Sequence, residues 1–236
     1  MARGGPKRFY KTTSVEATGA DYRVCLDGRS VKTPGRAEML LPARPLAEAI
    51  AGEWAAQGKS IDLAAMPLTV LAWAAIDRVR PDREPAIAEA VAYGGHDLVC
   101  YRAEGPADLV ARQQAAWQPL LDWAAQELGA PLTATSGIVS VAQPEATLAT
   151  LRQLVANRDE FELVALGAAV KASGSLVIGL ALCAGRIDAE AAFDAAQLDE
   201  TYQMERWGED REAVRRRTAT RGDLDAAARL VGLLRG

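Results

Sequence analysis

The chain has 236 residues, half of them apolar and a quarter charged, with a mean hydropathy of −0.04, which excludes disordered, collagenous and membrane-spanning classes. Its formal charge of −4 argues against a protein built to hold a polyanion, so no nucleic-acid partner is expected. One histidine, His96, excludes chemistry that needs two imidazoles from a single chain.

In chain order, Met1 to Lys11 carries Arg3, Lys7, Arg8 and Lys11 with no acid. It reads as a short solvated arm or as the remnant of an organellar presequence. Tyr22, Val24 and Leu26 then alternate with Arg23 and Cys25, Asp27-Gly28 supplies a turn, and Arg29 to Thr33 continues around Val31. That is a β-hairpin signal. Pro34-Gly35 marks another turn, and Met39-Leu40-Leu41 suggests a further short strand. From Pro45 the period becomes helical, with Leu46, Ala49, Ile50 and Trp54 at spacings of three and four and Gly58 as a stop. Further helices are expected near 68–79, 84–93, 106–128, 145–156, 160–172, 175–184, 188–206, 209–218 and 223–235, with one strand over Gly137 to Ala142. The expected class is α+β: a small antiparallel β-rich N-terminal domain with one following helix over 1–66, then a larger mainly α-helical C-terminal domain over 67–236.

Candidate chemistry is sparse. Gly52 to Ser60 ends in Gly-Lys-Ser, but five residues separate its glycines where a phosphate-binding loop needs four, and the segment reads as a helix end. Ser173-Gly174-Ser175 lacks the Gly-x-Ser-x-Gly elbow, and any base for it would be His96, with Asp97 beside it. A small-molecule enzyme using His96 and Asp97 in an interdomain cleft is therefore the alternative function. Cys25, Cys100 and Cys183 are scattered and odd in number, which reads as reduced and buried thiols in a reducing compartment. No metal cluster, cofactor, catalytic residue, small-molecule substrate or membrane insertion is expected.

The stretch Leu198 to Arg217 is more informative. On a helix Glu200, Gln203 and Trp207 share one face, while Leu198, Tyr202 and Glu205 share another. A large aromatic flanked by long polar groups is a plausible protein-binding face. The arginines at 215, 216 and 217 beside these acids fit intramolecular pairing or a solvated face.

Several strings, taken together and in order, resemble one family. They are Lys7-Arg8-Phe9-Tyr10-Lys11; Leu26-Asp27-Gly28-Arg29 with Lys32-Thr33-Pro34; Glu53-Trp54 with Gln57; Met66-Pro67-Leu68-Thr69 with Ile76-Asp77; Asp97 through Tyr101-Arg102; Trp117 with Pro119 and Trp123; Ser173-Gly174-Ser175; and Leu198-Asp199-Glu200 with Tyr202-Gln203 and Trp207-Gly208. The chain is similar to the assembly chaperones of the F-type ATP synthase that act on the alpha subunit of its soluble catalytic head. The resemblance implies a chaperone, not an enzyme, that binds the unassembled alpha subunit and shields its interface until the beta subunit takes its place. It implies a small β-rich N-terminal domain before a helical one, and action in the bacterial cytoplasm, or in the mitochondrial matrix if eukaryotic. It also implies an important acid in the C-terminal helical region, for which Glu200 and Glu205 are both candidates. The expected partner-binding set is Glu200, Gln203, Glu205 and Trp207.

Overall fold

The computed structural model describes residues 5–137 and 140–236. Two compact units are present: one runs to Arg83 and takes in Glu160–Val164 and Arg229–Gly236, and the other comprises Glu84–Asp159 and Ala165–Ala228. The first unit thus continues past residue 66.

The sheet of the first unit is built around β2 (Asp21–Leu26), which pairs antiparallel with β1 (Thr13–Thr18), opposing Thr13 to Leu26 and Thr18 to Asp21. On its other edge β2 pairs antiparallel with the short β3 (Arg29–Ser30) and β4 (Leu40–Leu41). The hairpin expected around Asp27-Gly28 is present but brief, and the main partner of β2 is β1. Neither face of β1 is fully buried, which is why no clean alternation marks it. α1 (Arg44–Ala55) lies on β1 and β2 and buries Leu46, Ala47, Ile50 and Trp54. It ends before Gly58, so that glycine is not the helix cap. Val24, Met39, Leu41, Leu46 and Ile50 form the fully buried centre beneath it.

Three polar clamps fix this unit. Glu53 on α1 is buried. Its carboxylate accepts from the Leu68 and Thr69 backbone N–H groups, both at 2.8 Å, and from the Thr69 hydroxyl at 2.7 Å. A carboxylate is thereby set on the N-terminus of α2 (Pro67–Ala74), where the helix dipole and the orphan N–H groups both favour an anion. Asp77, in the π-turn Ala75–Val79 that continues α2, accepts from the Thr33 hydroxyl at 2.6 Å and the Gly35 N–H at 2.7 Å. A Cβ on Gly35 would come within 2.7 Å of that carboxylate. The third clamp corrects the expectation of a solvated arm. Arg8 N–H donates to the Lys59 carbonyl at 3.0 Å, Ile61 N–H to the Pro6 carbonyl at 2.9 Å, and the Arg8 guanidinium to the Gln57 carbonyl at 2.5 Å. From Pro6 onward the strip is pinned; Arg3 lies outside the described residues.

The second unit holds α3 (Glu84–Gly94), α4 (Ala107–Glu127), α5 (Glu145–Ala156), most of α6 (Glu160–Ser173), α7 (Leu176–Ala184), α8 (Ala189–Ala196), α9 (Leu198–Trp207) and most of α10 (Arg211–Leu234). α7 is its centre, with every residue from Leu176 to Cys183 buried, as expected of a helix apolar all round. The helix expected over 188–206 is two, because Gln197 sits at φ −111°, ψ 19°, outside helical geometry. The two expected over 209–218 and 223–235 are one, α10. Gly222 costs a helix interior about 1 kcal/mol, which the burial of Leu224, Ala227, Leu230 and Val231 outweighs. A two-residue parallel ribbon, β5 (Tyr101–Arg102) with β6 (Thr135–Ser136), has no signal in the sequence. Of the strand expected over Gly137 to Ala142, Ile138 and Val139 lie outside the described residues, and the others form no strand. No helix among the described residues is long and apolar enough to cross a membrane.

Candidate functional site

The residues singled out in Leu198 to Trp207 meet α4. Tyr202, wholly buried, points inward from α9, and its hydroxyl donates to Asp108 at 2.8 Å. The other oxygen of Asp108 pairs with Arg206. The Tyr202 bond, with the Arg206 charge, holds the Asp108 carboxyl below the usual carboxylate range, while burial and that same bond push the Tyr202 phenol up. Two guanidiniums bracket the ring, Arg206 at 4.4 Å and Arg112 at 5.4 Å from its centroid. Arg112 also pairs with Glu205 at 2.7 Å. At the start of α9, buried Gln113 donates to Asp199 at 2.8 Å, accepts from Ala103 N–H at 2.8 Å, and through its carbonyl accepts from Arg102 at 2.6 Å. Beneath lies Trp117, fully buried, its indole N–H on the Ala195 carbonyl at 2.8 Å.

This framework leaves one side of α9 outward. Glu200 and Gln203 are exposed and, among the described residues, no side-chain hydrogen bond engages them, and Trp207 projects with 76% of its surface in water. Gly208, at φ +86°, ends the helix right after it. Glu205 differs from its three companions, being tied to Arg112. The α4 residues Asp108, Arg112 and Gln113, which set this face, were not singled out from the sequence; they lie about ninety positions from their partners, and no local pattern announces such pairs.

The other candidates are structural. His96 is exposed beside Tyr93, ring centroids 6.2 Å apart, whereas Asp97 is completely buried and turned elsewhere. Asp97 accepts from Val99 N–H at 3.2 Å and Val177 N–H at 3.0 Å. Ser175 caps α7 by accepting from Ile178 N–H at 3.0 Å, and Ser173 donates to the Ala169 carbonyl at 2.7 Å. Asp97 also meets the Ser175 hydroxyl, but His96 faces outward and joins neither, so the constellation His96, Asp97 and serine is not assembled. Cys25, Cys100 and Cys183 are buried thiols, and burial pushes the Cys100 thiol up to about 12. Among the described residues no group of three or more His, Cys, Asp or Glu is placed to hold a metal ion. In the arginine cluster, Arg217 and Arg221 stack on Phe193 and Arg216 approaches Glu212 at 3.8 Å.

Known proteins match this arrangement throughout. The family model for the ATP12 chaperone protein matches residues 7–125. The crystal structure of Atp12 from Paracoccus denitrificans is 41% identical, covers 97% of this chain and 98% of its own, and has a TM-score of 0.92. A mutant of the P. denitrificans protein with an aspartate exchanged for lysine gives the same TM-score of 0.92. The mitochondrial protein atp12 of Schizosaccharomyces pombe is 25% identical over 214 residues, 86% of this chain and 74% of its own. A β-rich unit and a helical unit with these matches are those of a chaperone. The chain belongs to the ATP12 chaperone family.

Proposed function

We propose that this protein is an assembly chaperone for the catalytic head of the proton-translocating F-type ATP synthase, holding the unassembled alpha subunit and shielding its interface until the beta subunit replaces it. Family membership supports the chaperone role, and the resemblance of the ordered strings supports the partner. The observation that carries the binding site is the outer face of α9, where Trp207 is 76% exposed and the side chains of Glu200 and Gln203 are hydrogen-bonded by none of the described residues. An unsatisfied acid and amide around an aromatic anchor suit a contact formed and released with a partner. Glu200 is the functional acid in this reading, Gln203 and Trp207 complete the contact, and Glu205 keeps Arg112 in place at its edge. A standard-size interface of roughly 800 Å² per side is enough for capture, and exchange requires it to be weaker than the final subunit contact. The buried thiols fit action in a reducing bacterial cytoplasm, or in the mitochondrial matrix in a eukaryote. No cofactor or small-molecule substrate enters the reading.

The test is co-purification of the tagged full chain with its partner identified, wild type against Glu200→Lys. Recovery of the alpha subunit with the wild type and its loss with a variant of unchanged melting temperature is the expected result. Failure of the wild type to recover the alpha subunit overturns the partner. Undiminished capture by both Glu200→Lys and Trp207→Ala overturns the site.

A further inference from the structure

The first unit carries a groove of about 570 Å³ that the reading of α9 does not use. One wall is aromatic: Phe9, Tyr10 and Trp54 pack edge to face in series, with ring centroids 5.3 Å and 5.7 Å apart. Phe9 leaves 73% of its surface in water, an exposed large ring beside a concavity, which is where monomeric surfaces mark binding. The facing wall follows β3 and presents Arg29 and Lys32, both exposed and neither in an ion pair among the described residues, although Glu38 lies across from Lys32 on the neighbouring segment.

The one acid in the groove is committed to the chain itself. Asp27 accepts from Lys11 N–H at 3.1 Å and from the Thr12 N–H and hydroxyl, both at 2.9 Å. These bonds hold its carboxyl below the usual range, and they occupy it with neutral donors, so that it forms no ion pair with Arg29 or Lys32. The exposed Lys11 adds a third cation at this rim. In a chain of net charge −4 this is a local excess of positive charge against an aromatic wall.

We propose that this groove docks an acidic peptide segment of a partner protein, with one aromatic or leucine side chain set against Phe9 and Tyr10 and flanking carboxylates on Arg29 and Lys32. Charge complementarity selects the acid, and the exposed aromatic wall selects a segment that carries an apolar anchor. A nucleic-acid strand fits poorly, because its affinity depends on neutralising several phosphates at once and three cations at one rim are few for that. The inference goes beyond α9 and does not rest on it.

The experiment uses the full chain and a short fluorescein-labelled peptide in which glutamates and aspartates flank a phenylalanine-leucine pair, followed by fluorescence anisotropy at low and high salt. Saturable binding that weakens with salt is expected. The double variant Arg29→Glu/Lys32→Glu is expected to bind roughly tenfold more weakly, Phe9→Ala to bind more weakly, and Arg215→Glu on α10 to bind as the wild type does. Should the double reversal unfold, Arg29→Gln/Lys32→Gln replaces it, and Arg29→Lys/Lys32→Arg is expected to restore binding. The proposal is overturned by absence of saturable binding, by equal affinity for a peptide with lysines in place of its acids, by indifference to the charge variants, or by tighter binding of a short single-stranded DNA than of the peptide. Loss of alpha-subunit capture by α9 variants with peptide binding intact would leave this inference standing and separate the two sites.

Discussion

Glu53→Gln removes a carboxylate whose two oxygens serve three buried donors, the Leu68 and Thr69 N–H groups and the Thr69 hydroxyl. Leu68 and Thr69 are both fully buried, so water does not reach donors left without a partner. The amide retains one acceptor oxygen and turns an NH₂ toward the remaining donors. The Thr69 hydroxyl can rotate to accept from it, but one backbone N–H is orphaned, and a buried unsatisfied group costs about 1 to 3 kcal/mol. Loss of the charge at the α2 N-terminus adds about 0.5 to 2 kcal/mol. Relief of burying a carboxylate offsets part of this, which leaves a destabilisation of about 2 to 3 kcal/mol, a large share of the roughly 5 to 15 kcal/mol a domain possesses. Glu53→Ala orphans all three donors and is expected to cost about 3 to 5 kcal/mol. Thr69→Val, which loses the hydroxyl bond alone, is expected to cost about 1 kcal/mol. Urea unfolding followed by circular dichroism measures each as a shift in midpoint at constant slope. The double variant Glu53→Gln/Thr69→Val completes a cycle in which contacting groups should not add. A Glu53→Gln protein within about 0.5 kcal/mol of wild type, or strict additivity in the cycle, would refute the clamp.

Asp97 is wholly buried, and that burial raises its carboxyl from 3.8 to about 6 despite bonds from Ser175 and three backbone N–H groups. A folded-state value above the unfolded one means the native state holds the extra proton, so the contribution of Asp97 to stability is full below about pH 4, is lost as pH rises to about 6, and is level beyond. Asp97→Asn should remove that slope in urea titrations across this window, and an unchanged slope would assign it elsewhere. Gly35→Ala should cost about 1 to 3 kcal/mol by forcing the Asp77 carboxylate, 2.7 Å from the added Cβ, off its two donors; differential scanning calorimetry reads it. Trp117→Ala should cost about 3 to 5 kcal/mol, since Trp117 is fully buried and its indole N–H is bonded. Trp207→Ala should leave the melting temperature unchanged and abolish the indole fluorescence most accessible to acrylamide.

The order of β-rich and helical parts was legible because the period changes near Pro42, and most helices announced their ends with proline or glycine. What escaped was decided at a distance. β1 has no buried face of its own and becomes a strand because β2 and α1 give it pairing and cover. The break at Gln197 follows no proline or glycine, and the continuity of α10 through Gly222 follows from apolar burial on either side of it. In each case local propensity was weak and tertiary packing settled the outcome.

The strings that carry the family resemblance divide sharply once their partners are known. Glu53, Asp77, Asp97, Gln57 and Tyr10 are all consumed internally. Gln57 accepts from Asp62 N–H at 2.7 Å and Tyr10 donates to the Trp54 carbonyl at 2.7 Å, in the same manner as the carboxylate clamps. They mark the fold, which is why their order is diagnostic although their polar groups are spent inside the chain. Among the described residues, the α9 string leaves Glu200 and Gln203 without a side-chain hydrogen bond, as the β3 string leaves Arg29 and Lys32. The ambiguity between Glu200 and Glu205 has the same origin. Both are acids on one short helix, Glu200 in its first turn and Glu205 five residues on, and what separates them is Arg112, 93 positions before Glu205 in the chain. Residue type is written locally, but whether a polar group is already satisfied is a property of the folded neighbourhood, and a group that folding leaves unsatisfied on the surface is the one available to bind.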